Sequence, residues 1–165
     1  MTLLGSDAVD NDPGRLFPGF RTRLEGVILE ANRESRGKFP EFREWILFEG
    51  FRSQARQDAL YSMGRTRPGE IVTYKRRSYH SSGLAADVVW RDSSGKLRWD
   101  GESRLWEILG HCARAGGLEW GGDFPKMTGG NFVDLPHIQP KLNERLLWKI
   151  PAWLFLQKRA LGAGR

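Results

Sequence analysis

The sequence is poor in cysteine and has no long hydrophobic run. Its 165 residues include one cysteine, Cys112, so an internal disulfide and a cysteine-rich zinc finger are both excluded. The longest apolar run, Ile150 to Leu156, is far shorter than the roughly 20 residues that span a bilayer. The first residues lack the basic and apolar regions of a secretory signal. These absences predict folding in a reducing compartment, without disulfides or membrane insertion.

The charge of the chain is unevenly distributed. Lys and Arg number 26 against 20 Asp and Glu, which gives a net charge of +6. Residues 141–165 hold six basic residues against Glu144 alone, and a second basic cluster lies within residues 65–77. A basic excess favours anionic partners, but no nucleic-acid-binding motif accompanies it, so we do not expect a nucleic-acid partner. The alternative for both clusters is a solvated surface.

The pattern of apolar residues predicts an α+β fold in a single domain. We expect a flexible leader at residues 1–15 and one domain over 16–165, because no repeat or low-complexity linker divides the chain. Apolar spacing predicts helices at 20–34, from Ser53 to Gly64, at 103–116 and from about 141 to Pro151. Short apolar or alternating runs predict strands at 45–51, 84–91, 96–99 and 137–139, with residues 116–136 irregular. Few strands separated by helices and long loops indicate a small antiparallel sheet.

Two of the three histidines have a carboxylate close to them in the sequence. His111 is off the apolar stripe of its helix, so we expect it to be exposed. His80 precedes Asp87, which lies between small apolar residues in a strand that is expected to be buried. His137 follows Asp134 by three residues. A buried carboxylate is costly unless it is paired or binds a metal, so Asp87 needs a partner.

Two histidines and one aspartate can form a three-ligand metal site. Zinc accepts such nitrogen and oxygen ligands and keeps a fourth position for water. An additional acid beside the site can accept the proton of that water during hydrolysis. The alternative is an ordinary paired aspartate in the core with two histidines in loops. The residues alone leave both interpretations open.

Four segments together resemble a known peptidase family. The pattern S-x-H-x6-D at residues 78–87 is followed by E-W-G-G at 119–122 and D-x-P-H at 134–137, and the segment GFRSQARQDALYSMGRTRPGEIVT precedes them at 50–73. In this order they resemble the zinc D-Ala-D-Ala carboxypeptidase and L-alanyl-D-glutamate endopeptidase family over roughly residues 45–140. That family includes phage endolysins and vancomycin-resistance dipeptidases, and it shares its fold with the Hedgehog signalling domain. The resemblance implies a small antiparallel sheet flanked by helices.

The resemblance also implies a catalytic centre. By alignment with the family motifs, one zinc ion is held by three residues, which are His80, Asp87 and His137. Asp134 aligns with the general base, and Arg52 aligns with the arginine that stabilises the oxyanion of the tetrahedral intermediate. A surface ion pair is the alternative for Arg52.

Substrate contacts are less sharply defined by the resemblance. Ser78 aligns with a substrate-contacting serine, although a serine in a loop also suits a turn. Trp120 and Asp123 are expected to line or brace the cleft, where binding and packing cannot be separated from the sequence. The chain departs from the family at Phe51, where a tyrosine is usual, and at Ile138, where an aromatic residue is frequent. Both departures concern substrate detail and leave the ligand set complete.

The function implied by the resemblance is hydrolysis of peptidoglycan stem peptides. Residues 60–73, LYSMGRTRPGEIVT, resemble the endolysin type, which predicts cleavage of the L-Ala–D-Glu bond. The alternatives are a D,D-carboxypeptidase or D-Ala-D-Ala dipeptidase on the same fold, and a zinc-stabilised module that only binds the wall. Retention of Asp134 and Arg52 argues against a binding module, which needs neither.

The resemblance to endolysins also predicts where the protein acts. We expect a monomer that accumulates in the host cytoplasm and reaches the wall after a holin-type release. The segment 141–165 mixes Trp, Phe and Leu with Lys and Arg, and it is expected either to engage anionic outer-membrane lipid or to pack on the domain as a helix.

Overall fold

The computed structural model describes residues 8–100, 104–141 and Trp153. Its α-helices are α1 (Pro18–Ser35), α2 (Gln54–Ser62), α3 (Leu105–Ala115) and α4 (Phe124–Thr128). Its strands are β1 (Phe42–Glu49), β2 (Ala86–Asp92), β3 (Leu97–Arg98), β4 (Leu118–Trp120) and β5 (His137–Pro140). Short 3-10 helices cover Pro13–Arg15, Tyr79–Ser82 and Gly121–Asp123. This mixture of helices and one small sheet confirms the predicted α+β class.

The sheet brings distant parts of the sequence into one row. Its strand order is β1-β2-β5-β4, with β3 also paired to β2, and every pair is antiparallel. Asp87 on β2 lies opposite Glu49 of β1 on one side and opposite His137 of β5 on the other. Side chains in register across neighbouring strands share one face of the sheet. The register therefore places Glu49, Asp87 and His137 next to one another.

Helices α1 and α3 cover the sheet and close the core. The buried residues of α1 recur every three or four positions, as helical periodicity requires for one face; they are Phe20, Leu24, Val27, Ala31 and Ser35. Trp45 of β1 meets Trp106 of α3 edge to face, with ring centroids 5.3 Å apart. The Trp45 indole donates a hydrogen bond to the Ser35 hydroxyl at 3.0 Å, which satisfies its buried N–H.

Most predicted elements are present, and one region differs. Ser53 caps α2 as expected, because its hydroxyl accepts from the Arg56 amide at 3.1 Å. Residues 116–136 were expected to be irregular, and this prediction is wrong in part, because they contain β4 and α4. Strand β4 has only three residues and owes its order to pairing with β5, which local sequence cannot show.

Residues 8–15, expected to belong to a flexible leader, pack against the domain. Asp10 is buried and forms an ion pair with Arg15 at 3.1 Å. The Asp10 carbonyl accepts from the Gly50 amide at 2.8 Å, directly after β1. Leu16 is buried beside them. Part of the predicted leader therefore contacts the domain, because the backbone of Asp10 pairs with a residue that is distant in the sequence. The bounds of the domain stay a prediction.

The C-terminal segment is described at one residue only. The Trp153 ring meets Phe17 at the start of α1 edge to face, with centroids 5.8 Å apart. The predicted helix from about 141 to Pro151, and the rest of the predicted cationic segment beyond Lys141, lie outside the described residues. Among the described helices, none is long and apolar enough to cross a membrane.

Candidate metal centre

Three side chains from three separate elements converge at the centre of the sheet. His80 comes from the 3-10 helix Tyr79–Ser82, Asp87 from β2 and His137 from β5. Their potential ligand atoms all lie within 4.8 Å of one another. Asp87 Oδ1 is 3.4 Å from His80 Nε2 and 3.6 Å from His137 Nδ1. The three residues predicted to bind zinc are therefore assembled in one place.

The 3-10 helix that carries His80 is capped at both ends. Ser78 accepts a hydrogen bond from the His80 amide at 3.3 Å, which begins the turn. Gly83 ends it in the left-handed conformation, with φ of 63°. A Cβ at Gly83 would lie 2.6 Å from the Arg15 carbonyl oxygen, so glycine is required for both conformation and space. Ser78, predicted as a substrate contact, thus has a structural partner in the loop that positions a ligand.

The protonation of the His80 ring is determined by the backbone of the domain. His80 is almost completely buried, and its Nδ1 lies 2.8 Å from the Gly50 carbonyl oxygen. A carbonyl oxygen can only accept, so Nδ1 carries a proton, and in the neutral ring Nε2 is then the nitrogen that has the lone pair. Nε2 is the atom that faces Asp87. The ring therefore presents a ligating nitrogen to the cluster, as metal-binding histidines usually do.

Asp134 stands beside the cluster without belonging to it. Its Oδ2 is 3.9 Å from His137 Nδ1, and its side chain is 36% exposed, which leaves it open to solvent. Partial burial raises the pKa of the Asp134 carboxyl, and this effect outweighs the lowering by His137. A carboxyl with a raised pKa next to a metal site can take up and return a proton.

Arg52 is held firmly next to Asp87. Its guanidinium donates to Glu49 Oε2 through two nitrogens, at 3.0 and 2.6 Å, and to Asp87 Oδ2 at 3.0 Å. A third nitrogen donates to the amide oxygen of the fully buried Gln57 at 3.2 Å. Glu49 also accepts from Arg56 at 3.0 Å. This fixed, largely buried arrangement differs from the surface ion pair that the sequence left open for Arg52.

Glu49 is a site residue that the sequence reasoning missed. Glu49 is buried and forms ion pairs with both Arg52 and Arg56. It therefore fixes the position of the Arg52 guanidinium beside Asp87. A single acid at the end of the apolar run WILFE, three residues before an arginine, was the available signal. Because a buried carboxylate needs a cationic partner, that signal could have indicated an ion pair.

The carboxylate and the imidazoles of the cluster stabilise opposite charges on each other. Burial by itself would raise the pKa of Asp87, but His80 and His137 hold it well below its usual range. Burial would lower the pKa of His137, but Asp87 and Asp134 raise it instead. The cluster is thus a concentration of polar groups in a buried place, which is the environment of a functional site.

Trp120 and Asp123 lie to the side of the cluster. The buried Trp120 indole donates to the Leu135 carbonyl at 2.7 Å, which braces the chain that leads to His137. Asp123 forms ion pairs with Arg114 at 2.8 Å and Lys126 at 3.6 Å. Both residues border a cavity of about 360 Å³. These contacts account for packing, and substrate contact by either residue stays a prediction. His111 is exposed, as expected.

Comparison with known proteins identifies the segment that carries the cluster. Residues 73–140 match a family model described as D-alanyl-D-alanine carboxypeptidase. This segment is similar to that peptidase family. It contains His80, Asp87, Asp134 and His137, whereas Arg52 precedes it. The family match confirms the resemblance found in the sequence.

Individual relatives agree with the family match. The chain is 40% identical over 104 residues to the peptidoglycan L-alanyl-D-glutamate endopeptidase CwlK of Bacillus subtilis, which is 57% of this chain and 59% of that relative. The matched region thus spans less than two thirds of the relative's length.

Solved structures of similar fold include enzymes of more than one specificity. The structure of the L-Ala D-Glu endopeptidase ChiX of Serratia marcescens has a TM-score of 0.52 at 26% identity, covering 78% of this chain and 83% of that one. The L,D-carboxypeptidase DacB from Streptococcus pneumonia has a TM-score of 0.53 at 21% identity, covering 87% and 74%, and shows the fold alone.

Proposed function

We propose that this protein is a zinc peptidase that hydrolyses the stem peptides of peptidoglycan at the L-Ala–D-Glu bond. The observation that carries the proposal is the cluster of His80, Asp87 and His137, with Asp134 at its open side and Arg52 clamped beside it. Two imidazoles and a carboxylate supply a ligand set. Hydrolysis also needs a proton acceptor and a positive charge near the reacting carbonyl, which Asp134 and Arg52 supply.

The donor set suits zinc. Zinc is bound by imidazole nitrogen and carboxylate oxygen, and three protein ligands are typical of catalytic sites, which keep a fourth position open. Here the two imidazoles are buried and Asp87 is half-buried, and the His80 tautomer leaves Nε2 free for a metal. When bound, zinc supplies Lewis acidity, which polarises a carbonyl and lowers the pKa of water to about 7.

In this proposal Asp134 is the general base, which its position beside His137 and its exposure to solvent support. It accepts a proton from the attacking water while the new C–O bond forms at the peptide carbonyl. It then returns that proton to the leaving amine as the C–N bond breaks, so the reaction needs no other proton source. Its raised pKa makes the carboxylate a stronger acceptor for the proton of the water, and its partial exposure gives substrate access to the carboxylate.

Arg52 supplies positive charge where negative charge develops. Its guanidinium touches Asp87 and cannot swing away, because Glu49 and Gln57 hold its other nitrogens. A fixed donor in a largely dehydrated place stabilises an oxyanion without reorganisation during the reaction. Glu49 therefore serves as a positioning residue for Arg52.

The names of two relatives favour the L-Ala–D-Glu bond as the site of cleavage. Both CwlK and ChiX are named as L-alanyl-D-glutamate endopeptidases, and these are the relatives with 40% and 26% identity. The D,D-carboxypeptidase and dipeptidase alternatives act at the free end of the stem, whereas the proposed enzyme cuts within it. A module that only binds the wall would cleave neither bond.

Mass spectrometry of digested peptidoglycan tests the proposal. Purified peptidoglycan is incubated with the protein, with and without a zinc chelator, and with the Asp134→Asn variant as the control. New termini of L-alanine and D-glutamate that disappear with chelator support the proposal. Release of terminal D-alanine overturns the bond assignment in favour of a carboxypeptidase, and zinc binding without any cleavage overturns the enzyme in favour of a binding module.

Action as a phage endolysin is a further part of the proposal. The sequence of residues 60–73 supports it, as does the basic C-terminal segment, which suits anionic outer-membrane lipid. Deletion of residues 156–165 tests the lipid contact. If the truncated protein still digests purified wall but loses activity on intact outer membranes, the segment acts at the membrane. Equal loss on both substrates indicates instead that it packs on the domain.

A further inference from the structure

A chain of hydrogen bonds runs from the metal centre into the outer edge of the sheet. His137 Nε2 lies 2.9 Å from Gln139 Oε1, and Gln139 Nε2 donates to Glu119 Oε2 at 2.8 Å. Glu119 and Gln139 face each other in register on β4 and β5. Both side chains are half-buried. Neither residue belongs to the ligand set.

The residue at the outer end, Glu119, determines the direction of donation along this chain of hydrogen bonds. A carboxylate at neutral pH has no proton to give, so Glu119 can only accept. The Gln139 amide must therefore turn its NH2 group to Glu119 and its oxygen to His137. An amide oxygen also only accepts, so His137 Nε2 must carry the proton. The reversed amide would place the Gln139 oxygen against the Glu119 carboxylate, so that two acceptors would face each other and the hydrogen bond to Glu119 would be lost.

We infer that Glu119, acting through Gln139, is a positioning residue that selects the His137 tautomer able to ligate through Nδ1. Nδ1 is the atom that lies 3.6 Å from Asp87 Oδ1, so it faces the cluster. A proton on Nδ1 would block ligation, and the Glu119–Gln139 pair keeps that proton on Nε2. The inference rests on the proposed zinc site. It adds Glu119 and Gln139, which would not bind the zinc themselves.

The tautomers of the two histidines of the site are thus determined by different kinds of group. His80 is oriented by the backbone carbonyl of Gly50, which substitution cannot remove. His137 depends on two side chains, so the polarity of its partner can be changed by mutation. Mutation of a residue that hydrogen-bonds to a metal ligand typically lowers metal affinity by 10- to 100-fold. We therefore expect substitution of Glu119 to change the zinc affinity of the site, although this residue does not touch the cluster.

The decisive variant is Glu119→Gln, which keeps the shape of the side chain and removes its acceptor-only character. A glutamine can donate as well as accept, so the Gln139 amide is free to turn over. Glu41→Gln is the matched control, because Glu41 is exposed and the change in charge is the same. Gln139→Met removes the acceptor of the His137 proton directly.

The measurement is zinc affinity of the metal-free proteins by competition with a chromophoric chelator, with their melting temperatures as the folding control. We expect Glu119→Gln and Gln139→Met to weaken zinc binding by about tenfold or more, with Glu41→Gln unchanged. The melting temperature of metal-free Glu119→Gln should match that of wild type, which separates positioning from a merely structural role. Affinities within twofold of wild type for both site variants overturn the inference.

A second measurement needs no variant to fold. Nitrogen-15 NMR of the zinc-loaded wild-type protein reports which nitrogen of His137 is protonated. A protonated Nε2 supports the inference, and a protonated Nδ1 overturns it. Failure of the wild-type protein to bind zinc at all would overturn the proposed function, whereas zinc binding that ignores Glu119 and Gln139 overturns only the inference.

Discussion

At the scale of single residues, Asp134 separates metal binding from turnover. It lies beside His137 but outside the ligand set, so Asp134→Asn should leave zinc binding within a few-fold of wild type. Peptidoglycan hydrolysis should fall by about 10²- to 10⁴-fold, because the proposed mechanism uses the Asp134 carboxylate to take the proton of the water. Zinc affinity and the rate of release of new amino termini are the two measurements.

A matched substitution tests whether loss of one negative charge anywhere on the protein lowers hydrolysis. Asp100→Asn changes an exposed acid that pairs with Arg98 on the surface and should leave hydrolysis unchanged. Full activity of Asp134→Asn would show that another group is the base.

Cys112 provides a test of burial that is independent of the site. It lies in the core on α3, and burial raises the pKa of its thiol to about 11. At pH 8 only about one thiol in a thousand would be ionised, and the thiolate is the reactive form. Labelling with a disulfide reagent at pH 8 should be very slow in the native protein and complete after unfolding. Rapid stoichiometric labelling of native protein would contradict the packing of α3.

At the scale of elements, the junction after β4 decides where Asp134 lies. The Gly121 carbonyl accepts from the Asp134 amide at 3.1 Å, and a Cβ at Gly121 would be 2.1 Å from the Asp134 carbonyl oxygen. Gly121→Ala should therefore push the two segments apart, with a loss of about 1–3 kcal/mol in the free energy of unfolding. Denaturant midpoints measure the loss, and hydrolysis should fall with it.

Gly26 offers the contrasting substitution within α1. A Cβ there meets nothing within 4 Å, and the residue is exposed in the middle of the helix. Gly26→Ala should stabilise the protein by about 1 kcal/mol, since alanine favours helix more than glycine does. If both alanine variants were equally stable, close approach at Gly121 would not be the reason for glycine there.

At the scale of the whole molecule, the metal centre links segments that are far apart in the sequence. His80, Asp87 and His137 join a 3-10 helix, the central strand and β5, so a bound ion stabilises their mutual arrangement. At a zinc concentration of 1,000 times Kd, binding adds about 4 kcal/mol to stability, which for a chain of this size corresponds to about 10 °C in Tm. Calorimetry with and without chelator measures the shift.

The His80→Ala variant is the control for this shift. It lacks one of three donors, so its Tm should not respond to chelator. A wild-type Tm that ignores chelator, under conditions where zinc is bound, would contradict a stabilising role of the ion.

Much of the fold was predictable because its helices have strong local signals. The apolar spacing of α1 and the Ser53 cap of α2 are properties of a few neighbouring residues, and both are present. Strand β4 and the packing of residues 8–15 were not predictable, because each depends on hydrogen bonds to a distant segment. Short strands and polar segments carry too little local preference to show such partners.

The sequence by itself determined which residues are candidates for the site, because motifs are local properties: the resemblance to the family motifs implied His80, Asp87 and His137 as ligands and Asp134 as the base. Only the tertiary structure decided which atoms face the cluster. The clamp of Glu49 on Arg52 and the chain from Glu119 through Gln139 to His137 both depend on strand register. Register arises from the packing of the whole sheet, so hydrogen-bond polarity at the site appears only when the strands are assembled.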